Sequence, residues 1–201
     1  MLPPDDQLSR FFDHTVLKAD TTREVLARFC EEALRWNFAS VCVNPVNVAF
    51  VAARLAGSEV RTCAVVGFPL GTNRSEVKVL ETTLAVADDI AAVVRAAHPD
   101  AVVKVIIETS ALDDDEKVRA CRLAVAAGAG FVKTSTGFGT GGATAHDVDL
   151  MARTVGGKAQ VKASTGIVDL ATFEAVVDAG ATRVGTSKGI AIVQEAAKRP
   201  A

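Results

Sequence analysis

Short apolar runs alternate with longer amphipathic, alanine-rich stretches along most of the chain, and this alternation limits the possible folds more than any other feature. The runs are rich in Val, Ile and Cys and lie at residues 12–17, 39–44, 61–67, 101–107, 130–135, 159–164 and 182–187. Continuous apolar runs of this kind are typical of strands that are buried on both faces, whereas the stretches between them have helical periodicity. The sequence therefore predicts an α/β fold with seven parallel strands connected by helices.

Three lysines within the predicted strands repeat at a constant interval. Lys104, Lys133 and Lys162 are 29 residues apart, and the last two stand in near copies of one motif, FVKTSTG and QVKASTG. Repetition at this scale favours a (β/α) barrel or a doubly wound sheet. With 201 residues, one domain spanning residues 1–201 is expected.

One interval breaks this repetition. From Ala64 to Lys104 is 40 residues, which is too long for one repeat unit and too short for two. The segment between Ser75 and Pro99 contains neither Gly nor Pro, so it would form one helix of about 33 Å, roughly twice the usual length. We interpret the interval as the loss of one strand, with two helices fused between residues 87 and 90.

Composition argues against several classes of function. The 22 basic and 24 acidic residues give a net charge of -2 without a basic cluster that contains aromatic residues, so nucleic acid is not an expected partner. No uncharged apolar run approaches the ~18 residues of a membrane span, and the N-terminus MLPPDDQLSR lacks the features of a secretory signal. A soluble, cytoplasmic protein is therefore expected. The four cysteines form no C-x-x-C pair and are expected to be reduced thiols of the core.

Two other patterns carry little weight. GFGTGG at residues 137–142 satisfies G-x-G-x-x-G, but no acidic residue ends a strand ~20 positions later, as a dinucleotide-binding fingerprint requires. His14, His98 and His146 are too dispersed in the sequence to predict a metal triad. We therefore expect neither a cofactor nor a metal.

Seven stretches together resemble the deoxyribose-phosphate aldolases, which are class I, Schiff-base aldolases built on a TIM-type (β/α)8 barrel. They are DHTVLK (13–18), FASVCVNP (38–45), VVGFPLG (65–71), VKVIIET (103–109), FVKTSTGFGTGGAT (131–144), VKAS (161–164) and GATRVGTS (180–187). The resemblance covers nearly the whole chain in family order. It implies reversible cleavage of 2-deoxy-D-ribose 5-phosphate to D-glyceraldehyde 3-phosphate and acetaldehyde, a reaction of nucleoside catabolism, without a cofactor.

The irregular interval is also where this chain departs from the family. Family members carry a fourth barrel strand there, and one of its aspartates takes part in proton transfer, which leaves a second hypothesis open. The chain would then be a catalytically impaired or inactive barrel that only binds a phosphorylated sugar, and the lost segment would be natural, engineered or a fault of the gene model. We expect residues 61–67 and 101–107 to pair directly in a closed, distorted seven-stranded barrel. An open sheet would instead expose strand edges and favour a homo-oligomer.

Lys133 and Lys162 have the chemistry that an imine-forming aldolase needs. Attack on an aldehyde requires a neutral amine, whereas a free lysine has a pKa of ~10.4. A second ammonium ~5 Å away would lower that pKa by roughly two units, burial would lower it further, and neighbouring strands lie ~4.8 Å apart. The resemblance implies that Lys133 forms the Schiff base and that Lys162 tunes its pKa and assists proton transfer. The alternative is that both are ordinary lysines at strand ends.

Three other residues are candidates for the same site. The resemblance implies that Asp13, on the first strand, relays a proton or binds a substrate hydroxyl, although it would alternatively cap a helix or turn. Cys42 would line the pocket as a small buried hydrophobic group. Lys104 would join the charge network of the site or form an ion pair with Glu108.

Phosphate is expected at the ends of the last strands, where barrels offer backbone N–H groups and a helix start. The residues placed for this are Thr136, Gly137, Ser164, Thr165, Gly166, Gly185, Thr186, Ser187 and Lys188. The family reads K-A-S-G-G-I where this chain has KASTGI, so Thr165 replaces a glycine and would be unfavourable at a positive φ. Lys188 stands where serine is common; it would either add charge to the phosphate site or remain solvated.

Overall fold

All the strands of the computed structural model run parallel in one sheet. The structure describes residues 5–70, 94 and 101–198. The strands are β1 (Phe12–Val16), β2 (Ser40–Val43), β3 (Arg61–Ala64), β4 (Lys104–Ile106), β5 (Phe131–Lys133), β6 (Gln160–Ser164) and β7 (Arg183–Thr186). Each lies within one of the seven apolar runs, so the strand predictions are confirmed. The proposed fusion between residues 87 and 90 lies outside the described residues.

Predicted helices follow six of the seven described strands, the residues after β3 lie largely outside the described ones, and one further short helix precedes β1. They are α1 (Asp5–Leu8), α2 (Arg23–Arg35), α3 (Val48–Leu55), α4 (Asp114–Ala126), α5 (Ala145–Val155), α6 (Leu170–Asp178) and α7 (Gly189–Ala196). Side chains cap four of them by accepting a hydrogen bond from a backbone N–H of the first turn: Thr22, Asp113, Thr144 and Asp169. Among the described helices, none is both long and apolar enough to cross a bilayer.

The sheet is curled so strongly that its two edge strands face each other. The strand order is β3-β2-β1-β7-β6-β5-β4, which puts β3 and β4 at opposite ends of the sheet. Nevertheless, Nζ of Lys104 on β4 lies only 3.8 Å from Sγ of Cys63 on β3. Such a contact is possible only if the sheet bends round on itself, as in a TIM-type barrel.

The expected direct pairing of the two edges is wrong. No backbone hydrogen bond between described residues joins 61–67 to 101–107, so the seven described strands do not form a closed barrel. A parallel ladder requires neighbouring backbones ~4.8 Å apart along several residues. Here the edges meet through the long side chain of Lys104 instead.

The apolar core lies between the outer face of the sheet and the helices. Phe12 of β1 is fully buried there, with its ring centroid 5.6 Å from that of Phe38 and 5.2 Å from that of Phe173. Leu26 of α2 and Met151 of α5 are fully buried as well. The outward-facing strand residues are therefore held by helix packing.

Successive strand residues point to opposite faces, so the residues next to these core positions point into the curled sheet. Asp13 follows Phe12, Lys133 follows Val132, and Lys162 follows Val161. Each of the three polar residues has 6% or less of its surface exposed. Strand alternation thus collects charged groups on the concave face of the sheet.

Candidate active site

Asp13 is the centre of a buried charge cluster on the concave face. Its Oδ2 accepts a hydrogen bond from Nζ of Lys162 at 2.5 Å, and its Oδ1 accepts one from Nη1 of Arg183 at 3.0 Å. The hydroxyl of Ser40 also donates to Oδ1, and Nζ of Lys104 lies 4.0 Å from Oδ2. Burial opposes ionisation, but the charges of Lys162, Lys104 and Arg183 outweigh it and hold the pKa of Asp13 well below its usual range. Asp13 is therefore a fixed anion inside the sheet, not a helix or turn cap.

Lys133 and Lys162 are direct neighbours in the sheet. β5 and β6 pair with Lys133 opposite Lys162, and the two residues are 6% and 1% exposed. Burial, followed by the positive charge of Lys162, lowers the pKa of Lys133 to about 8. Burial acts on Lys162 in the same direction, but the adjacent carboxylate of Asp13 outweighs it and raises the pKa of Lys162. The pair thus consists of one amine that loses its proton near neutral pH and one lasting cation.

The order of these causes differs from the sequence argument. From the sequence, the neighbouring ammonium is expected to have the main effect on Lys133 and burial an additional one. In the structure burial is the larger cause. Cys42, Cys63 and Asp13, in that order, act in the opposite direction and raise the pKa of Lys133.

Lys104 belongs to this charge cluster and not to an ion pair with Glu108. Besides its approach to Asp13, its Nζ lies 3.8 Å from Sγ of Cys63 and 5.6 Å from the ring centroid of Phe131. Glu108 directs its carboxylate to Thr136 instead. Of the two alternatives from the sequence, the structure shows the charge network.

Cys42 and Cys63 face each other on β2 and β3. They are partners in the strand register; Cys42 is buried and Cys63 is partly exposed. A hydrogen bond between the thiols is the largest influence on both, and it lowers the pKa of Cys63 while it raises that of Cys42. The positive charge of Lys104 acts on Cys63 in the same direction. The concave face therefore carries a thiol pair beside its lysines.

The loop after β5 is held by Glu108, which follows β4. Oε2 of Glu108 accepts hydrogen bonds from the backbone N–H of Thr136 at 2.9 Å and from its hydroxyl at 2.5 Å. Glu108 has φ 53° and ψ 68°, a left-handed conformation that is unfavourable for a residue with a Cβ. A Cβ on Gly139 would lie 2.9 Å from Oε1 of Glu108, so a larger residue there would displace this carboxylate. Glu108 therefore holds the glycine-rich loop to the end of β4 through these two hydrogen bonds.

Thr165 occupies the conformation that the sequence identified as unfavourable. Its φ is 71°, and Gly166 follows with φ 80°. The turn therefore does not adjust to the threonine, and a left-handed residue with a Cβ costs roughly 1–2 kcal/mol. A Cβ on Gly137 would lie 3.1 Å from Oγ1 of Thr165, so this hydroxyl also borders the loop after β5.

The ends of β6 and β7 lie against each other with a free hydroxyl between them. Ser164 is 4% exposed, and among the described residues its Oγ has no hydrogen-bond partner. A Cβ on Gly185 would lie 2.5 Å from that Oγ and 2.9 Å from Cε of Lys162, so only glycine fits there. A polar atom buried without a partner is unusual and calls for a ligand or a water.

The segment between β7 and α7 contains the remaining residues expected at a phosphate site. The hydroxyl of Thr186 donates to the carbonyl of Ile167 at 2.7 Å and accepts a bond from the N–H of Lys188 at 3.0 Å. Ser187 and Lys188 are exposed, immediately before α7 begins at Gly189. All the predicted phosphate residues thus lie at the carboxyl ends of β5, β6 and β7.

A second group of ionisable side chains lies away from this site, between α4 and α5. Nε2 of His146 is 2.9 Å from Oδ2 of Asp114, and the nearest donor atoms of Asp114, His146 and Asp147 lie within 4.8 Å of one another. Nζ of Lys117 lies 3.0 Å from Asp114 and 2.7 Å from Asp147. Because this lysine already compensates both carboxylates, the group is an ion network that joins the two helices.

Ser40, Cys63 and Arg183 also belong to the site, although no sequence pattern predicted them there. Each lies opposite a predicted site residue in the strand register: Ser40 opposite Asp13, Cys63 opposite Cys42, and Arg183 opposite Lys162. Aligning the apolar runs on their site residues would therefore have found all three.

Comparison with known proteins identifies the group to which this site belongs. No protein-family model matches the sequence. A deoxyribose-phosphate aldolase from Geobacillus sp. (strain WCH70) is 48% identical over an alignment of 214 positions, which covers 94% of this chain and 96% of the relative. The chain belongs to the deoxyribose-phosphate aldolase family.

Solved structures of deoxyribose-phosphate aldolases have the same architecture. A Coccidioides immitis protein described as a deoxyribose-phosphate aldolase superposes with a TM-score of 0.92 at 36% identity, covering 97% of this chain and 87% of that one. The deoxyribose phosphate aldolase of Aeropyrum pernix superposes with a TM-score of 0.87 at 29% identity, covering 98% and 94%, and its structure is tetrameric. The resemblance and the TIM-type fold deduced from the sequence are therefore confirmed.

Proposed function

We propose that this protein is a class I aldolase that cleaves 2-deoxy-D-ribose 5-phosphate reversibly to D-glyceraldehyde 3-phosphate and acetaldehyde through a Schiff base at Lys133. One observation carries the proposal. A buried amine whose pKa is lowered to about 8 lies opposite a cation that is fixed by a buried carboxylate. The Geobacillus relative is a deoxyribose-phosphate aldolase, which supports deoxyribose phosphate as the substrate.

The first chemical step uses Lys133 as the nucleophile. With a pKa of about 8, roughly a tenth of Lys133 is neutral at pH 7, against less than a thousandth of an ordinary lysine. Its Nζ adds to the aldehyde carbon and gives a carbinolamine, which loses water to form the protonated imine. Lys162, one strand away, is the protonated group available to the departing hydroxyl.

The imine then serves as the electron sink for cleavage. The bond between C2 and C3 of the sugar breaks as the C3 hydroxyl passes its proton to a water molecule and C3 becomes the aldehyde carbon of glyceraldehyde 3-phosphate. The electron pair of the broken bond moves into the iminium to give an enamine. Protonation and hydrolysis of the enamine release acetaldehyde and regenerate Lys133. Asp13 does not act as the base in this scheme, because its three cationic neighbours keep it ionised and hydrogen bonded. Its role is to position Lys162.

The phosphate of the substrate is assigned to the turns at the ends of β6 and β7. The free Oγ of Ser164 supplies a buried donor, and Gly185 leaves room beside it. The backbone N–H groups of the Gly166 turn and the start of α7, together with Lys188, add positive potential. Thr165 narrows the space between this turn and the Gly137 loop.

Reductive trapping tests the proposal. The folded protein is incubated with acetaldehyde and sodium borohydride, and the modified residue is located by peptide mass mapping. We expect the ethyl adduct on Lys133 and none after Lys133→Met. Lys158→Met, which removes an exposed lysine, is the matched control and should leave the adduct in place. A folded sample without any adduct, or with one only on surface lysines, would refute the Schiff-base assignment.

Cleavage of the deoxysugar phosphate is measured separately from trapping. Release of glyceraldehyde 3-phosphate is followed with a coupled reductase. An adduct on Lys133 without cleavage would mean that the nucleophile works while the proton transfers do not. In that case the proposed substrate reaction would be wrong, although the imine chemistry would stand.

We also propose that the protein assembles into homo-oligomers. The Aeropyrum pernix relative is tetrameric, and the described strands β3 and β4 end the sheet without pairing to each other. Light scattering coupled to gel filtration should give a mass that is a multiple of 20.9 kDa. A mass equal to that of one chain at micromolar concentration would refute this proposal.

A further inference from the structure

Cys42 and Cys63 are two sulfur nucleophiles that the aldolase scheme does not use. Both lie in the curled sheet, near the lysine cluster, and neither is oxidised in the structure. We propose that these two thiols form a reversible disulfide when a peroxide enters the site, which makes the β2–β3 pair an oxidation-sensitive modification site. The proposal does not depend on the substrate assigned above.

The strand register brings the two thiols together. Cys42 and Cys63 are direct partners of neighbouring parallel strands, and such backbones lie ~4.8 Å apart, within the 4.4–6.8 Å between Cα atoms that a disulfide tolerates. Their side chains point to the same face, because residues that are direct partners on neighbouring strands lie on one face of the sheet.

The position of β3 allows the small approach that bond formation requires. Cβ atoms must come within ~4.5 Å of each other, somewhat closer than neighbouring strands usually hold them. β3 ends the sheet, and the described strands pair with it only through β2. An edge strand of four residues moves more easily than a strand held on both sides.

The surroundings make Cys63 the attacking thiol and leave Cys42 as its partner. Lys104 lies 3.8 Å from Sγ of Cys63, and both Lys104 and Lys162 favour its thiolate, which Asp13 and burial oppose. The hydrogen bond from Cys42 favours the thiolate most. Thiolates are the reactive form of cysteine, and Cys63 is also the more exposed of the two.

The two other cysteines lack these features. Cys30 lies in α2 and Cys121 in α4, and burial raises the pKa of both thiols, that of Cys121 to about 11. Neither therefore has a partner on a neighbouring strand. They are therefore internal controls for any oxidation experiment.

The oxidation balances with hydrogen peroxide as the only co-reactant. The Cys63 thiolate attacks one peroxide oxygen, the O–O bond breaks, and hydroxide leaves while Cys63 becomes a sulfenic acid. Sulfur of Cys42 then attacks the sulfenic sulfur; the S–S bond forms, the S–O bond breaks, and the thiol proton leaves as part of water. The sum converts two thiols and one hydrogen peroxide into one disulfide and two water molecules.

The test treats the folded wild-type protein with hydrogen peroxide at pH 7, then unfolds it and alkylates the remaining thiols. We expect an intact mass lower by two hydrogen atoms, a linked pair of peptides that contain Cys42 and Cys63, and alkylation of Cys30 and Cys121. Dithiothreitol should restore all four free thiols. In Cys42→Ala, the oxidation of Cys63 should stop at a sulfenic acid that dimedone captures, whereas Cys63→Ala should leave Cys42 reduced.

Other outcomes would overturn the proposal. They are four alkylated thiols after peroxide treatment of the wild type, a disulfide that contains Cys30 or Cys121, or a sulfinic acid at Cys63 beside a free Cys42. The wild-type measurement decides among these by itself, so a variant that fails to fold does not affect the conclusion.

Discussion

Lys133 and Lys162 carry the same functional group one strand apart, yet the structure gives them opposite behaviour. Both are buried, and burial lowers the pKa of both. Asp13 decides the difference, because it bonds directly to Lys162 and only reaches Lys133 through space. A single carboxylate thus keeps Lys162 a cation, while Lys133, which lacks such a contact, keeps the lowered pKa that the proposed nucleophile requires.

This division predicts the pH dependence of imine formation. Since the neutral amine is the reactive form, borohydride trapping at Lys133 should rise as pH increases through about 8 and level off above it. Lys162→Met removes the neighbouring positive charge, so the pKa of Lys133 and the midpoint of this rise should move to higher pH. Each unit of that shift costs about tenfold in neutral amine at pH 7.

Trapping profiles of the wild type, Lys162→Met and Lys158→Met, measured from pH 6 to 10, test this prediction. Arg183 and Lys104 still compensate Asp13 in Lys162→Met, so the variant is not left with an unpaired buried anion. The surface control should keep the wild-type midpoint. An unchanged midpoint in Lys162→Met would show that burial alone sets the pKa of Lys133.

Thr165 provides a prediction about backbone strain. Glycine adopts φ 71° without steric cost, so Thr165→Gly should increase the free energy of unfolding by up to about 1 kcal/mol, after the greater entropy of the unfolded glycine is subtracted. The comparison change Thr154→Gly, in the last turn of α5, should instead destabilise the protein by roughly 0.5–1 kcal/mol, because glycine is the poorer helix former and the hydroxyl no longer donates to the carbonyl of Leu150. Urea denaturation of both variants measures the difference. Destabilisation by Thr165→Gly would mean that contacts of the threonine side chain outweigh its strain.

At the scale of elements, Glu108 connects the end of β4 to the loop that follows β5. The adjoining backbones are also joined, since the N–H of Thr109 donates to the carbonyl of Thr134 at 2.9 Å. A hydrogen bond to a charged acceptor contributes about 1.5–3 kcal/mol, so Glu108→Ala should destabilise the protein by about that amount or less, because the site is partly exposed. The loop should also lose its fixed position, which would raise KM for the phosphorylated substrate more than it lowers kcat.

A double-mutant cycle with Thr136→Val distinguishes loss of the hydrogen bond between Glu108 and Thr136 from a general loss of packing. Glu108→Ala and Thr136→Val remove opposite ends of one hydrogen bond, so their effects on stability and KM should be less than additive. Ser110, whose hydroxyl lies 3.5 Å from the other carboxylate oxygen, supplies the control Ser110→Ala. Additive effects in the cycle would refute the claim that the hydrogen bond between Glu108 and Thr136 fixes the loop.

The elements themselves could be predicted from sequence, whereas several contacts could not. Val, Ile and Cys runs and helical periodicity are local signals, and they placed the described strands and the helices that follow them correctly. The contact between Asp13 and Lys162 joins β1 to β6 across the intervening β7, which no local pattern encodes. The conformation of Glu108 could not be predicted either. Nothing in VIIETS (105–110) indicates that this glutamate adopts a left-handed conformation and turns away from Lys104.

At the scale of the whole molecule, the concave face carries more positive than negative charge among its described residues. Lys104, Lys162 and Arg183 surround one carboxylate, and Lys133 lies beside them. A partly enclosed excess of positive charge attracts anions more strongly than the same charges on a flat surface. The curl of the sheet therefore favours entry of a phosphorylated substrate before any specific contact forms.

The order of the strands predicts how strongly the backbone amides of each strand are protected from hydrogen exchange. β7 and β1 lie in its middle with paired neighbours on both sides, whereas β3 and β4 end it, and the described strands pair with each on one side only. Backbone amides exchange with solvent through local opening, and strands held on both sides open least. In protein diluted to single chains, hydrogen exchange followed by mass spectrometry should therefore show peptides over 61–64 and 104–106 exchanging about ten times faster than those over 12–16 and 183–186.

The measurement also distinguishes two ways in which the edges are covered. If β3 and β4 are as protected as β1 and β7 at every protein concentration, a further part of the same chain pairs with them, and the open edge inferred from the strand order is wrong. If their protection falls on dilution while that of β1 and β7 does not, the edges are covered by a second copy of the chain. If neither the same chain nor a second copy covers the edges, β3 and β4 should exchange faster than β1 and β7 by the same factor at every protein concentration. Each edge strand then keeps only one paired neighbour.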